Sequence, residues 1–173
     1  MITIVYPLIE SDWGEEIQYS LRSIAKNLEI PFQVIIYGTY RPEWLTGVTF
    51  LEATVEHSDT VPQCQYNQGL IYQDLLETGL DNFVFFNDDI YLLDKTDTFS
   101  PVYHNDGPHP EERPGGVWRG LLWDTREALI QQGLPSRNYE THIPYPIECK
   151  KLLQLPEVLE GRQLLATAYY NRF

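Results

Sequence analysis

The chain has 173 residues, 43% of them hydrophobic, which is enough for one domain with a sizeable core and too apolar for a disordered chain. Its formal net charge is −13, and Lys150-Lys151 is the only adjacent basic pair, so duplex nucleic acid and an anionic membrane surface are both disfavoured as partners. Cys64 and Cys149 lie far apart with no metal-ligand spacing, and a chain this long needs no disulfide.

Residues 2–6 read as a first strand, β-branched and ended by Pro7. This opening has no basic leader, and no stretch approaches the ~20 apolar residues of a membrane span. The expectation is a cytoplasmic protein with no membrane span. A loop, residues 8–14, contains Asp12 and Trp13. A helix follows, with Ile17, Leu21, Ile24 and Leu28 at helical spacing. Ser11 or Asp12 would cap it, and Glu15 and Glu16 suit its N-terminus. Residues 33–37 form a second strand stopped by Gly38. Strand, helix, strand implies a parallel pair with a right-handed crossover.

Residues 41–45 read as a turn and 48–51 as a short third strand. The polar stretch 52–65 is loop-like. Residues 66–77 predict a helix with Leu70, Ile71 and Leu75 on one side, ending at Gly79. Four bulky apolar residues, Phe83-Val84-Phe85-Phe86, then predict a strand buried on both faces. This strand runs into Asn87-Asp88-Asp89, and apolar residues resume at once. Adjacent carboxylates at a buried strand end are costly unless compensated. A divalent cation, Mn²⁺ or Mg²⁺, is the usual compensation and commonly carries substrate phosphates; a solvated polar turn is the alternative. The carboxyl end of a strand in an α/β sheet is where ligands bind.

Residues 104–116 have no periodicity and read either as a lid over that site or as an ordinary loop. Asp124 and Glu127 resemble a capping box for a helix running to Gln132, stopped by Gly133 and Pro135. Residues 138–146 are expected to be extended. Pro146 would open a helix over 147–155, and Pro156 a last one from 157 to about 169. No repeat or linker divides the chain, so 1–173 is read as a single domain.

Four separated pieces occur in one order: Tyr19-Ser20-Leu21-Arg22-Ser23-Ile24, Pro42-Glu43-Trp44-Leu45, Phe86-Asn87-Asp88-Asp89-Ile90 and His142-Ile143-Pro144-Tyr145-Pro146. Together they resemble the Stealth-type capsular polysaccharide sugar-phosphate transferases and related small GT-A-like glycosyltransferases, over most of the chain. The resemblance implies an α/β, GT-A-like fold, with a mostly parallel central sheet flanked by helices. It also implies a divalent metal at the acidic turn, gripping the diphosphate of a nucleotide-sugar donor. GT-A enzymes usually write that turn Asp-x-Asp; here Asn87 stands in the first position. The resemblance places His142 where a late histidine returns to the metal, the alternative being a backbone-bonded surface histidine.

The leading expectation is a metal-dependent glycosyltransferase, with the metal on Asp88, Asp89 and His142 and a glycan or other hydroxyl acceptor. Tyr6, Pro7, Arg22, Asn67 and Asn87 are the candidate nucleotide-sugar contacts, with a solvent-facing role as the alternative for Arg22. Asn67 is read as opening a helix that faces the pocket. Asp124 is the candidate catalytic base, its capping role being the alternative. Two other readings keep the same site: a Stealth-type sugar-1-phosphate transferase that releases nucleoside monophosphate, and a non-catalytic nucleotide-sugar-binding module. The chain is short for a full GT-A domain, which leaves room for a homo-oligomer.

Overall fold

A computed structural model of the chain describes residues 1–8, 15–55, 58, 62–104 and 109–173. The expected cap of the first helix, at Ser11 or Asp12, lies outside the described residues. So do Trp13 and the 105–108 part of the candidate lid.

The strands are β1 (Ile2–Leu8), β2 (Phe32–Gly38), β3 (Thr49–Glu52), β4 (Asn82–Phe85) and β5 (Tyr145–Glu148). They form one sheet in the order β3-β2-β1-β4-β5. β1 is parallel to β2 and to β4, β2 is parallel to β3, and β5 is antiparallel to β4. The helices are α1 (Glu15–Asn27), α2 (Gln63–Glu77), α3 (Val117–Gln131), α4 (Cys149–Leu152), α5 (Pro156–Leu159) and α6 (Leu165–Arg172). The protein is thus an α/β fold with a mostly parallel mixed sheet flanked by helices. Among the described residues, no helix is long and apolar enough to cross a membrane.

The two-residue period of a strand sorts the core into two layers. Ile4, Tyr6, Val34, Ile36, Val84 and Phe86 point to one face and pack with Ile17, Ile24 and Leu28 of the α1 region. Val5, Ile35, Tyr37, Phe83, Phe85 and Ile147 point to the other face. There they meet Ile71, Tyr72 and Leu75 of α2 and the helices that close the chain. The apolar run ending in Phe86 is buried on both faces, as its composition requires: Phe83 and Phe85 are 2% exposed and Phe86 0%.

The structure corrects several sequence expectations. Pro7 does not end β1, which pairs with β2 through Leu8. The amide of Phe86 donates to the Val5 carbonyl, and strand alternation turns the Pro7 nitrogen to the same side. The missing N–H therefore ends only the ladder to β4. α2 begins at Gln63, directly after Pro62, so Asn67 lies inside the helix rather than opening it.

Asp124 and Glu127 are no capping box: α3 starts at Val117 behind Gly116, whose φ is 88°. Pro146 opens no helix; it lies within the edge strand β5, opposite Val84. Its carbonyl accepts the Tyr170 hydroxyl from outside the ladder, so the missing amide costs no sheet bond. The final helix is split into α5 and α6 by Gly161, at φ 72°. Gly161 lies against the first turn of α2, where a Cβ would meet the Gln65 carbonyl oxygen at 2.7 Å.

Candidate functional site

Strand order locates the site. From β1 the chain steps outward through β2 to β3, then returns across the sheet to place β4 on the other side of β1. The two crossover helices accordingly lie on opposite faces, and the order reverses between β1 and β4. Ligands of open α/β sheets bind outside the carboxyl ends of the strands at such a reversal. The segment that leaves the carboxyl end of β4 there is Asn87-Asp88-Asp89.

α1 holds this turn by its polar side. Ser20, Ser23 and Asn27 follow one another at helical spacing, beside the apolar stripe. The Ser20 hydroxyl donates to the Ile90 carbonyl at 2.5 Å. That bond uses the only proton Ser20 has, so the Tyr6 hydroxyl, 2.6 Å away, donates to Ser20. Ser23 Oγ accepts the Leu92 amide at 2.9 Å, and Asn27 Nδ2 donates to the Leu92 carbonyl. The Ile90 amide closes the turn on the Asn87 carbonyl at 3.3 Å. The backbone on both sides of the two carboxylates is therefore fixed by bonds to the core.

Asp88 is half-buried and Asp89 exposed. Burial pushes the Tyr6 hydroxyl well above its ordinary range, and the Asp88 charge adds to the shift. Tyr91 is raised too: loss of hydration leads, followed by the charges of Glu16, Asp89 and Asp88. Several carboxylates thus act on one small region, the condition under which a cation is stabilising.

His142 is brought to this turn. Its Nδ1 lies 3.5 Å from Asp89 Oδ2. The expected extended backbone is corrected at this residue: His142 has φ 48°, in the left-handed region, and is the one non-glycine residue with positive φ among the described residues. Bonds to α6 hold the segment just before it. The Tyr139 amide donates to Thr167 Oγ1 at 3.2 Å, the Thr167 amide to Glu140 Oε1 at 2.9 Å, and the Arg137 amide to Asn171 Oδ1 at 2.9 Å. Glu140 thereby caps the first turn of α6, whose own N-cap residue, Leu164, offers no side-chain bond. Burial raises the Glu140 carboxyl; the Thr167 bonds and then His142 oppose the shift.

Of the remaining expected residues, Tyr6 lies behind the turn, bonded to Ser20. Tyr6 is 0% exposed, so it supports α1 and offers no face to a base. Pro7 is half-buried. Asn67 is 3% exposed, and its Oδ1 accepts from Gln63 Nε2 at 3.1 Å. Arg22 is exposed and lies over the Tyr19 ring at 5.8 Å. Asp124 is held at both oxygens by Arg113, with Nε to Oδ1 at 2.7 Å and Nη2 to Oδ2 at 2.8 Å. Among the described residues it bonds to neither Asp89 nor His142.

Of the candidate lid, residues 109–116 are fastened to α3. Trp123 Nε1 donates to the Pro110 carbonyl at 3.0 Å, His109 stacks on Trp123, and Arg113 pairs with Asp124.

Ser20, Ser23 and Asn27, the clamp on the turn, are not among the residues expected to form the site. Their spacing beside Ile17 and Ile24 was the available signal. Among the described residues, no group of three or more His, Cys, Asp or Glu side chains is assembled to hold a metal ion. What stands together is the Asp89–His142 pair, with Asp88 next in the chain. No protein-family model matches the chain, and no curated protein matches it.

Proposed function

We propose that the chain is a metal-dependent glycosyltransferase with a GT-A-like fold that uses a nucleotide-sugar donor. The observation that carries this reading is the Asp89–His142 pair, 3.5 Å apart, beyond the carboxyl end of β4. Carboxylate oxygens and a neutral imidazole form a donor set suited to Mn²⁺ and less to Mg²⁺. Asp88, Asp89 and His142 would hold the ion. A partial protein donor set also suits a cation whose other ligands are phosphate oxygens. Bound there, the ion would neutralise the donor diphosphate and stabilise the leaving nucleoside diphosphate.

The chain's own residues have the task of holding the site in place. The α1 clamp fixes Ile90 and Leu92, and so sets where Asp88 and Asp89 stand. The α6 clamp fixes residues 137–140 and presents His142. Preorganised groups of this kind need no rearrangement when charge develops. The net charge of −13 gives a diphosphate no general attraction, so the reading requires donor binding to depend on the metal. A thermal-shift panel of UDP-, GDP- and ADP-sugars, with Mn²⁺ and with EDTA, tests this. Stabilisation by at least one donor only when Mn²⁺ is present supports the reading. Stabilisation by none, or equal stabilisation in EDTA, contradicts it.

A further inference from the structure

An open cleft of about 700 Å³ lies where the N-termini of α2 and α3 meet the turn between α5 and α6. Its volume is within the ~300–1,000 Å³ typical of small-molecule sites. Pro62, Val117 and Leu121 give it apolar walls, and Arg113, Asp124 and Arg162 bring polar groups to it. α2 follows β3 and precedes β4 in a parallel arrangement, so its N-terminus, and the cleft with it, belongs to the carboxyl side of the sheet.

Both arginines are fixed in place. Gly120 has no side chain, and a Cβ there would come within 2.5 Å of Arg113 Nη2. The guanidinium therefore lies flat on α3 and reaches Asp124 with two bonds. Arg162 follows Gly161, which lies against the first turn of α2. Its Nε donates to Glu157 at 2.6 Å and its Nη2 pairs with Glu160.

The charges decide what such a cleft can take. Among the described residues, two guanidiniums are matched by three carboxylates, so these groups leave no positive excess to attract a polyanion. A guanidinium has five N–H donors, of which each arginine uses two among the described residues, and a carboxylate accepts more bonds than Asp124 receives there. Fixed donors, fixed acceptors and apolar walls, without net positive charge, complement a neutral polyhydroxyl molecule. Hydroxyls can donate to Asp124 and accept from the arginines while C–H faces rest on Pro62, Val117 and Leu121.

We infer that this cleft binds a neutral saccharide; that the saccharide is the acceptor rests on the transferase reading, and the binding itself does not. The experiment is a titration of the full chain, followed by amide NMR, with lactose, maltose and N,N′-diacetylchitobiose. It is run in EDTA and without nucleotide, so it is independent of metal and donor. At least one disaccharide is expected to shift the Arg113, Val117, Gly120 and Arg162 amides saturably. Arg113→Ala and Arg162→Gln should each weaken binding about tenfold or more, the effect of losing a charge-assisted bond, while the spectra stay dispersed. The inference is overturned if none of the three sugars moves these amides, if inorganic phosphate moves them and the sugars do not, or if binding survives both substitutions. Saccharide binding in EDTA together with no metal-dependent donor binding would leave the cleft assignment standing and remove the transferase reading.

Discussion

His142 Nδ1 and Asp89 Oδ2 lie 3.5 Å apart, although the two residues belong to segments held by different helices. α1 fixes the Asp89 side through Ser20, Ser23 and Asn27; α6 fixes the His142 side through Thr167 and Asn171. Asp89→Asn keeps the size of the side chain and removes its charge. It should abolish the Mn²⁺-dependent part of donor binding and leave the unfolding midpoint nearly unchanged, because an exposed carboxylate–histidine pair contributes little to stability. Calorimetric titration with and without Mn²⁺ measures both parent and variant. Unchanged metal dependence in the variant would rule out Asp89 as a ligand.

The Tyr6–Ser20–Ile90 chain of bonds makes a separate prediction about stability. Tyr6→Phe removes one buried donor and should cost about 0.5–1.5 kcal/mol. Ser20→Ala leaves both the Tyr6 hydroxyl and the Ile90 carbonyl without this partner and should cost more, about 1–3 kcal/mol. Urea unfolding gives the values, and hydrogen exchange at the neighbouring Leu92 amide should quicken in the serine variant. Equal costs for the two substitutions would contradict the assignment of Ser20 as the central member.

Close backbone packing between α2 and α5 depends on Gly69. A Cβ at this position would meet the Leu159 carbonyl oxygen at 2.4 Å, and backbone cannot move aside as a flexible side chain can. Gly69→Ala should destabilise the fold by about 1–3 kcal/mol, the usual range for overpacking. An unchanged urea midpoint would show that the helices separate at no cost.

Much of the fold could be read from the sequence wherever burial sets the pattern. The stripe Ile17, Leu21, Ile24, Leu28 gave α1, and the unbroken run Phe83–Phe86 gave a strand covered on both faces. The errors cluster at prolines and glycines, whose local meaning depends on which side of the backbone has a partner. Pro146 sits inside a strand because its missing amide faces away from the sheet, and Pro7 because its missing amide ends only the ladder to β4 while that to β2 continues. Gly161 breaks a helix through its φ of 72°, and its closeness to α2 leaves no room for a side chain. Asp124 reads in the sequence as a helix cap or a catalytic base, but its partner Arg113 lies in a loop without periodicity, and nothing in the spacing joins them. Asp89 and His142 are joined in the sequence only by the family resemblance, because nothing in their spacing pairs them; tertiary packing brings them within 3.5 Å.

Asp74 on α2 supplies a pH prediction. Burial raises its carboxyl above the ordinary value of 3.8, and the Glu77 charge adds to the shift. The folded chain thus keeps this proton to higher pH than the unfolded chain does. The resulting stabilisation is complete below 3.8 and is lost as the pH rises through the raised value. Asp74→Asn removes this dependence. The variant should be more stable than the parent at neutral pH, with the difference closing as the pH falls toward 3.8. Parallel stability curves for the two proteins would contradict the shift.

The most direct measurement is pulsed electron paramagnetic resonance of Mn²⁺ with the protein and a nucleoside diphosphate, UDP or GDP. Imidazole nitrogen coupled to the manganese, together with phosphorus coupling from the nucleotide, is the expected result. The nitrogen coupling should vanish in His142→Ala. A spectrum with no nitrogen coupling, or one that His142→Ala leaves unchanged, would contradict a shared metal site at the acidic turn.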